Sequence, residues 1–173
     1  DIILGPEMKS TGEVMGIGAT FPIAFAKSQL GAGTALPPQG TVFISVREKD
    51  KIPAAGLAQR LVAMGFNLMA TPGTARDLEA QGLPVRHINK VQQGRPHCED
   101  AIINGEVQLV INTTEGAKAI KDSLSIRRSA LMKNIPHYTT IAGAAAAVAA
   151  IEALQAGDCL EVRPIQNYHQ GSF

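Results

Sequence analysis

The sequence predicts an α/β fold in which a parallel five-stranded sheet is flanked by helices. Two observations carry this prediction. From Thr41 onward, short apolar segments rich in β-branched residues alternate with longer helix-like segments. Glycines such as Gly65 and Gly157 follow the helix-like segments, at the position where a helix C-terminus favours them. An alternation of this kind implies right-handed crossovers and a sheet that is covered on both faces.

The boundaries of the elements follow from the apolar periods and from local helix and turn signals. Strands are predicted at residues 41–46, 66–70, 85–88, 107–112 and 137–140. Helices are predicted at residues 21–30, 50–65, 74–82, 97–104, 116–131 and 142–156. Asp50 is expected to cap the second helix. Because Pro37 and Pro38 break regular structure, residues 34–40 are interpreted as a linker, and the tail beyond Gly157 shows no clear period.

The composition is typical of one soluble domain with a full core. The chain has 173 residues, of which 45% are hydrophobic and 18% are charged. Its net charge of +1 argues against broad electrostatic binding to nucleic acid or to an acidic membrane. Cys98 and Cys159 have neither a disulfide nor a zinc spacing, so we expect two reduced thiols in a cytoplasmic protein. Asp1 opens the chain inside an apolar run and without an initiator methionine, which indicates a piece of a longer protein.

The segment Thr71-Pro72-Gly73-Thr74 is the strongest indication of a ligand. It joins a predicted strand to a predicted helix, where free backbone N–H groups and the positive end of the helix dipole favour an oxyanion. Thr71 and Thr74 add hydroxyl groups, and Gly73 lets the backbone approach closely. Phosphate is the expected guest. A plain threonine N-cap and turn is the alternative interpretation.

Polar residues also follow the other predicted strands. Lys51 comes after the first strand, and Lys90 comes after the third. Asn112, Thr113 and Thr114 close the fourth. Because ligands bind outside the carboxyl ends of strands in open α/β sheets, these residues predict one phosphate-type pocket. The alternative for Lys51 is a solvated surface lysine.

Groups suited to acid–base or nucleophilic catalysis are not predicted at this edge. The nearest candidates, His97, Cys98, Glu99 and Asp100, are expected to begin a helix, in which acidic residues are normal in the first turn. We therefore predict no catalytic residue and no metal ligand in this chain. The sequence indicates a receptor for a phosphorylated small molecule.

Several motifs in fixed order resemble the large subunit of carbamoyl-phosphate synthase. Residues 5–16 are similar to the end of the second ATP-grasp unit of that family. The similarity continues through residues 45–48, 89–91, 94–97, 111–114 and 126–131. It covers nearly the whole chain except the tail beyond about residue 156.

This resemblance implies the domain organisation and the function. Residues 1–34 would be the tail of the carbamoyl-phosphate (ATP-grasp) domain and a linker, and 158–173 a C-terminal tail. Residues 35–157 would be a Rossmann-like, methylglyoxal-synthase-like allosteric domain that binds UMP or IMP, with ornithine nearby. The implied nucleotide pocket comprises Lys51, Thr71, Thr74, Lys90, Asn112, Thr113, Thr114 and Ser123.

The resemblance also implies the activity of the parent enzyme, which makes carbamoyl phosphate from bicarbonate, glutamine-derived ammonia and two ATP for arginine and pyrimidine synthesis. ATP, Mg²⁺ or Mn²⁺, and K⁺ would serve the full-length enzyme, and no cofactor is expected in this fragment. The implied partners are the upstream synthetase domains and the small glutamine amidotransferase subunit. Glu7 would lie at the edge of the distant active site, and the fragment itself would not hydrolyse ATP.

The chain departs from the family pattern at a second implied effector site, formed by His137, Tyr138 and Thr139. Many bacterial members have Tyr-Asp-Thr-Thr where this chain has His137-Tyr138-Thr139-Thr140. The amino groups of ornithine bind best to anionic side chains, so the missing carboxylate weakens the prediction that this site binds ornithine.

Two alternative functions remain open at this point. A phosphate-eliminating lyase of the methylglyoxal synthase type would share the fold, but those enzymes carry Gly-Gly-Asp where this chain has Gly94-Arg95-Pro96. A homo-oligomer could form through the alanine-rich residues 142–156. For regulation, we expect helix 116–131 to relay binding, with Ser123 toward the ligand and with Arg127 and Arg128 toward a neighbouring domain.

Overall fold

Five parallel strands form the centre of the fold, in the order β3-β2-β1-β4-β5. The computed structural model describes residues 12–158 and 160–169, apart from the side chains of 117–122, 165 and 169. The strands are β1 Thr41–Ser45, β2 Asn67–Ala70, β3 Val85–His87, β4 Leu109–Asn112 and β5 His137–Tyr138. The predicted five-stranded parallel sheet is confirmed. Glu7, Cys159 and the motif residues before Gly12 lie outside the described residues.

Helices cover both faces of the sheet. They are α1 Phe21–Gly31, α2 Lys51–Ala63, α3 Pro72–Glu79, α4 Cys98–Ile103, α5 Ala117–Met132, α6 Ile141–Gln155 and α7 Ile165–His169. Single 3₁₀ turns at Glu48–Asp50 and Val91–Gln93 precede α2 and α4. Helix α7 lies in the tail, where the sequence shows no clear period because five residues are too few to establish one.

The alternation of side chains along β1 divides the core between the two faces. Val42 and Ile44 point toward α2, α3 and α6, whereas Phe43 points toward α4 and α5 with Met69 and Val110 of the neighbouring strands. All these side chains are buried. Burying one such side chain stabilises the fold by about 1.5–3 kcal/mol, so the sheet is a rigid base for whatever its carboxyl edge carries.

The alanine-rich helix α6 is covered by helices of its own chain. Thr140 caps it by accepting a hydrogen bond from the Gly143 backbone N–H at 3.1 Å, and small side chains such as Ala147 let α1 and α2 pack closely against it. The Tyr138 hydroxyl donates to Gln29 Oε1 of α1 at 2.9 Å. Residues 12–34 are the described part of the segment predicted to be the tail of a preceding domain. They include helix α1, which packs against α6 of the sheet domain.

Candidate functional site

The carboxyl ends of β1, β2 and β4 open into a cavity of about 410 Å³, beside α5 and the Val91–Gln93 turn. A volume of this size is typical of small-molecule sites. Six of the eight residues predicted for the pocket line it: Thr71, Lys90, Asn112, Thr113, Thr114 and Ser123. Lys51 and Thr74 are not among its lining residues. The strand-end argument thus brings most of the predicted side chains to one place.

The two threonines of the β2–α3 connection have different positions. Thr71 precedes α3, is buried, and its hydroxyl lies 3.1 Å from the Ser45 hydroxyl at the end of β1. Thr74 is also buried, and its Oγ1 accepts a hydrogen bond from the Val46 backbone N–H at 3.2 Å. Thr71 therefore belongs to the cavity wall, whereas Thr74 ties the end of β1 to the first turn of α3.

The residues after β4 fix the backbone that follows β1. Asn112 Nδ2 donates to the Ser45 carbonyl at 3.3 Å, and Thr113 Oγ1 accepts from the Arg47 backbone N–H at 3.2 Å. Thr113 also hydrogen-bonds the Asp50 carboxylate. These contacts hold two chain segments at a fixed separation across the cavity floor.

Asp50 does not cap α2 in the way that the sequence predicts. Its carboxylate makes no hydrogen bond to the helix N–H groups and instead accepts one from Arg47 Nε at 2.7 Å. Burial raises the pKa of Asp50, but the hydrogen bonds from Thr113 and Arg47 outweigh that effect and lower it overall. The prediction was wrong about its partner because Arg47, three residues earlier, carries a charge and the helix N–H groups do not.

Two arginines and one lysine place positive charge around the cavity. Lys90 is exposed at the rim, and Arg47 lies in the wall. Arg127 of α5 donates from Nη2 to Thr114 Oγ1 at 2.9 Å, and its Nε lies 3.4 Å from Asn112 Oδ1. The expectation that Arg127 faces a neighbouring domain was wrong, since its side chain turns inward. The spacing to Ser123 could have predicted this orientation. A residue four positions after Ser123 lies on the same face of α5 as Ser123.

Lys51 lies between the start of α2 and α3. Its ammonium group is 2.7 Å from Glu48 Oε2 and 2.7 Å from Asp77 Oδ2. The carboxylates of Asp77, first, and of Glu48 raise the pKa of Lys51. The lysine is therefore fully charged at neutral pH and is occupied by carboxylates of its own chain.

The residues predicted for a second effector site lie on β5 and the turn that follows it. His137, Tyr138 and Thr139 are not among the residues that line the cavity. Burial raises the pKa of Tyr138 to about 12, so its hydroxyl stays neutral and donates to Gln29. Tyr138 thus has a structural role between β5 and α1.

Residues 97–100, the nearest candidates for catalysis, begin helix α4, as the sequence predicts. His97 Nδ1 accepts from the Asp100 backbone N–H at 3.3 Å, and Asp100 Oδ2 accepts from the His97 backbone N–H at 3.1 Å. This reciprocal pair caps α4. Burial raises the pKa of the Cys98 thiol to about 11, so it is protonated and unreactive at neutral pH.

The fold and the cavity define a class of protein. A parallel sheet in the order found here, with a cavity at its carboxyl edge, is a Rossmann-like architecture. The sequence profile of the MGS-like domain matches residues 54–139. This range includes four of the five strands and most of the cavity wall.

Comparison with known proteins gives the particular family. The chain is 59% identical over 170 residues to the carbamoyl phosphate synthase large chain of Rhizobium meliloti (strain 1021), covering 98% of this chain and 14% of that protein. It is 59% identical over 171 residues to the large chain of Pseudomonas aeruginosa, covering 99% and 16%. The large chain of Myxococcus xanthus is 52% identical over 168 residues, covering 97% and 15%.

The chain therefore belongs to the carbamoyl phosphate synthase large-chain family. It spans only 14% to 16% of the length of these curated relatives. Within residues 12–158 and 160–169, no helix has the length and apolar character needed to cross a membrane.

Proposed function

We propose that this chain is a regulatory domain whose cavity binds the phosphate and base of a nucleoside monophosphate of the UMP or IMP type. The observation that carries the proposal is the convergence of Thr71, Lys90 and Thr114, from three different strand ends, on one cavity. Asn112, Thr113 and Ser123 complete the proposed nucleotide site. Lys51 and Thr74 stay in the proposal, although they are not among the lining residues. Hydroxyl donors beside a cationic rim are the chemistry that a phosphate dianion requires.

The apolar part of the wall suits the base of the nucleotide. Ile126 of α5 and Val91 lie in the same cavity as Lys90. A site with a charged end and an apolar end orients a nucleotide, since the phosphate goes to the cations and the base to the hydrocarbon side chains.

Binding would control carbamoyl phosphate synthesis by the full-length enzyme. Arg127 links Asn112 and Thr114 of the cavity to α5, whereas the adjacent Arg128 is exposed. A ligand that contacts either cavity partner would therefore also act on Arg127 and on the helix that carries it. Typical couplings between sites, about 1–3 kcal/mol, are sufficient to change substrate affinity several-fold.

We propose the other partners on the same basis. Exposed apolar side chains at Val14, Met15, Phe21 and Leu30 support contact with the upstream synthetase domains. The small glutamine amidotransferase subunit, ATP with Mg²⁺ or Mn²⁺ and K⁺, and a cytoplasmic location belong to the full-length enzyme. Ornithine remains a weaker proposal because a tyrosine, Tyr138, stands where a carboxylate would bind it. The proposal of a homo-oligomer through α6 loses support because α1 covers that helix.

The geometry favours binding over elimination of phosphate by a lyase. The carboxylate on the cavity wall, Glu115, is 3.6 Å from Lys49 and exposed. Asp50 is held by Arg47. The lowered pKa of Asp50 makes its carboxylate a poor proton acceptor. Incubation with dihydroxyacetone phosphate should give no methylglyoxal, and robust production would restore the lyase.

Calorimetric titration of the full-length large chain with UMP, IMP and ornithine tests the proposed function. We expect a micromolar dissociation constant for a nucleotide, which corresponds to about 8 kcal/mol. Lys90→Ala should weaken binding by tens-fold because it removes the exposed cation of the rim. Lys133→Ala, at an exposed lysine just beyond α5, is the matched control and should change nothing. Equal effects of the two variants on the dissociation constant would mean that the phosphate does not bind at Lys90.

A further inference from the structure

Two cationic side chains line the cavity in the part of the chain that the structure describes, Arg47 and Lys90. Lys90 already belongs to the proposed nucleotide site, whereas Arg47 was not among the residues predicted for the pocket. The nearby Lys51 is held by carboxylates of its own chain. A phosphate monoester carries about two negative charges at neutral pH, so Lys90 alone compensates only part of the charge of the proposed ligand.

Arg47 follows the central strand of the sheet. Strand β1 lies between β2 and β4, and Arg47 comes two residues after its last residue, Ser45. Thr71 follows β2, Thr113 follows β4, and both line the cavity. The Arg47 backbone N–H donates to Thr113 Oγ1 at 3.2 Å. Arg47 therefore leaves the sheet between two hydroxyl-bearing residues of the proposed site.

The Arg47 side chain is held through its Nε atom. Nε donates to Asp50 Oδ2 at 2.7 Å, and the Arg47 carbonyl accepts from the Asp50 backbone N–H at 3.0 Å. The Asp50 side chain is 13% exposed and that of Arg47 is 32% exposed. Among the described residues, neither Nη1 nor Nη2 of Arg47 has a hydrogen-bond partner. The side chain is thus oriented, but its terminal donors are not used.

Arg60 shows the contrasting case, an arginine whose donors are used by a carboxylate of the same chain. Its Nε donates to Glu152 Oε1 at 2.8 Å and its Nη2 donates to Oε2 at 2.5 Å, which ties α2 to α6. This two-point contact uses the geometry by which a guanidinium also binds phosphate. Asp50 takes only Nε of Arg47, so the Nη1 and Nη2 edge remains for another oxyanion.

We propose that Arg47, held at Nε by Asp50, is a further phosphate-binding residue of the cavity. The inference rests on the proposed function. The Nη1 and Nη2 N–H groups donate to phosphate oxygens, and such charge-assisted hydrogen bonds are stronger than neutral ones. Because the contact with Asp50 already restricts the side chain, less conformational freedom is lost when the ligand binds. Arg47 and Lys90 then hold the phosphate from the ends of two different strands.

The test is calorimetric titration of the full-length large chain with UMP. Arg47→Gln should weaken binding about tenfold, because it removes one charged hydrogen-bonding group. Arg60→Gln is the matched control, since Arg60 is also paired with a carboxylate but is not among the cavity-lining residues. It should leave the affinity unchanged, with thermal unfolding as the check that both variants are folded. Equal losses in the two variants would overturn the inference.

A double variant separates the loss of the Arg47 donors from the negative charge that Arg47→Gln leaves on Asp50. Arg47→Gln combined with Asp50→Asn removes both charges, and it should still bind UMP about tenfold more weakly than wild type. Recovery of wild-type affinity in the double variant would overturn the inference, because the loss in Arg47→Gln would then come from repulsion by Asp50.

The salt dependence of binding tests whether Arg47 acts on the charge of the ligand. Since dissolved ions screen charge interactions, UMP affinity should fall more steeply with added salt in wild type than in Arg47→Gln. Equal salt dependence would also overturn the inference. If wild type does not bind UMP, the proposed function fails. If wild type binds UMP, Lys90→Ala weakens binding and Arg47→Gln has no effect, only this inference fails.

Discussion

The α5 region, which lines the cavity, and the neighbouring α2–α3 region contain similar residue types but arrange them differently. On the α5 side, Lys90 and Thr114 present their polar groups to the cavity. On the α2–α3 side, Lys51 is paired with Asp77, and Thr74 accepts from the Val46 backbone. A lysine and a threonine after a strand thus line the cavity on one side and tie elements of the fold together on the other. Partners within the chain decide between these roles, and residue type does not.

The largest expected effect tests the structural role of the α2–α3 side. Thr74→Val removes the hydroxyl of a buried threonine that accepts from the Val46 backbone N–H, and leaving such a donor without its partner costs about 1–3 kcal/mol. We expect the free energy of unfolding in urea to fall by about 2 kcal/mol. Thr139→Val, at an exposed threonine, should leave it unchanged. Equal stability of the two variants would remove the distinction between the two sides.

An intermediate effect is expected on the α5 side, at Arg127. Arg127→Ala removes the donors to Thr114 and Asn112 and leaves both cavity residues less well oriented. UMP affinity should fall about tenfold, which corresponds to about 1.4 kcal/mol. The adjacent Arg128→Ala is the control, because Arg128 is exposed. A loss with Arg128→Ala and none with Arg127→Ala would mean that α5 presents its other face to the ligand.

The smallest expected effect concerns Asp50, which lies where the two sides meet. Because the pKa of Asp50 is lowered in the folded state, its contribution to stability is present above its ordinary value of 3.8 and is lost as the pH falls through the lowered value. Asp50→Asn should therefore flatten the loss of stability below about pH 4. Urea unfolding between pH 3 and pH 7 measures this. Parallel curves for variant and wild type would show that the pair with Arg47 contributes nothing.

The fold was predictable because its signals are local and repeated. Strand β1 is predicted to within one residue, since its first four residues are apolar or β-branched and charged residues follow from Arg47. Helix α6 is predicted from its alanine content and Gly157. Helix α7 was not predicted, because a helix of five residues has no period to detect.

The site was predictable in position and less so in orientation. Parallel strands bring Thr71 and Asn112 to one edge whatever their surroundings are. The ion pair between Lys51 and Asp77 joins two helices that are separate in sequence, so no local sequence pattern predicts it. The spacing between Ser123 and Arg127 was sufficient to predict that both lie on one face of α5. Whether the Arg127 side chain turns toward the cavity or toward a neighbouring domain depends on Thr114, which accepts its hydrogen bond.

A crystal structure of the full-length enzyme with bound UMP tests the central claim most directly. The account predicts the phosphate within hydrogen-bonding distance of Lys90 and of the Thr114 hydroxyl, with the base toward Ile126. Nucleotide density elsewhere, for example in the cleft that Lys27 and Arg163 line on the α1 side, with this cavity empty, would contradict it.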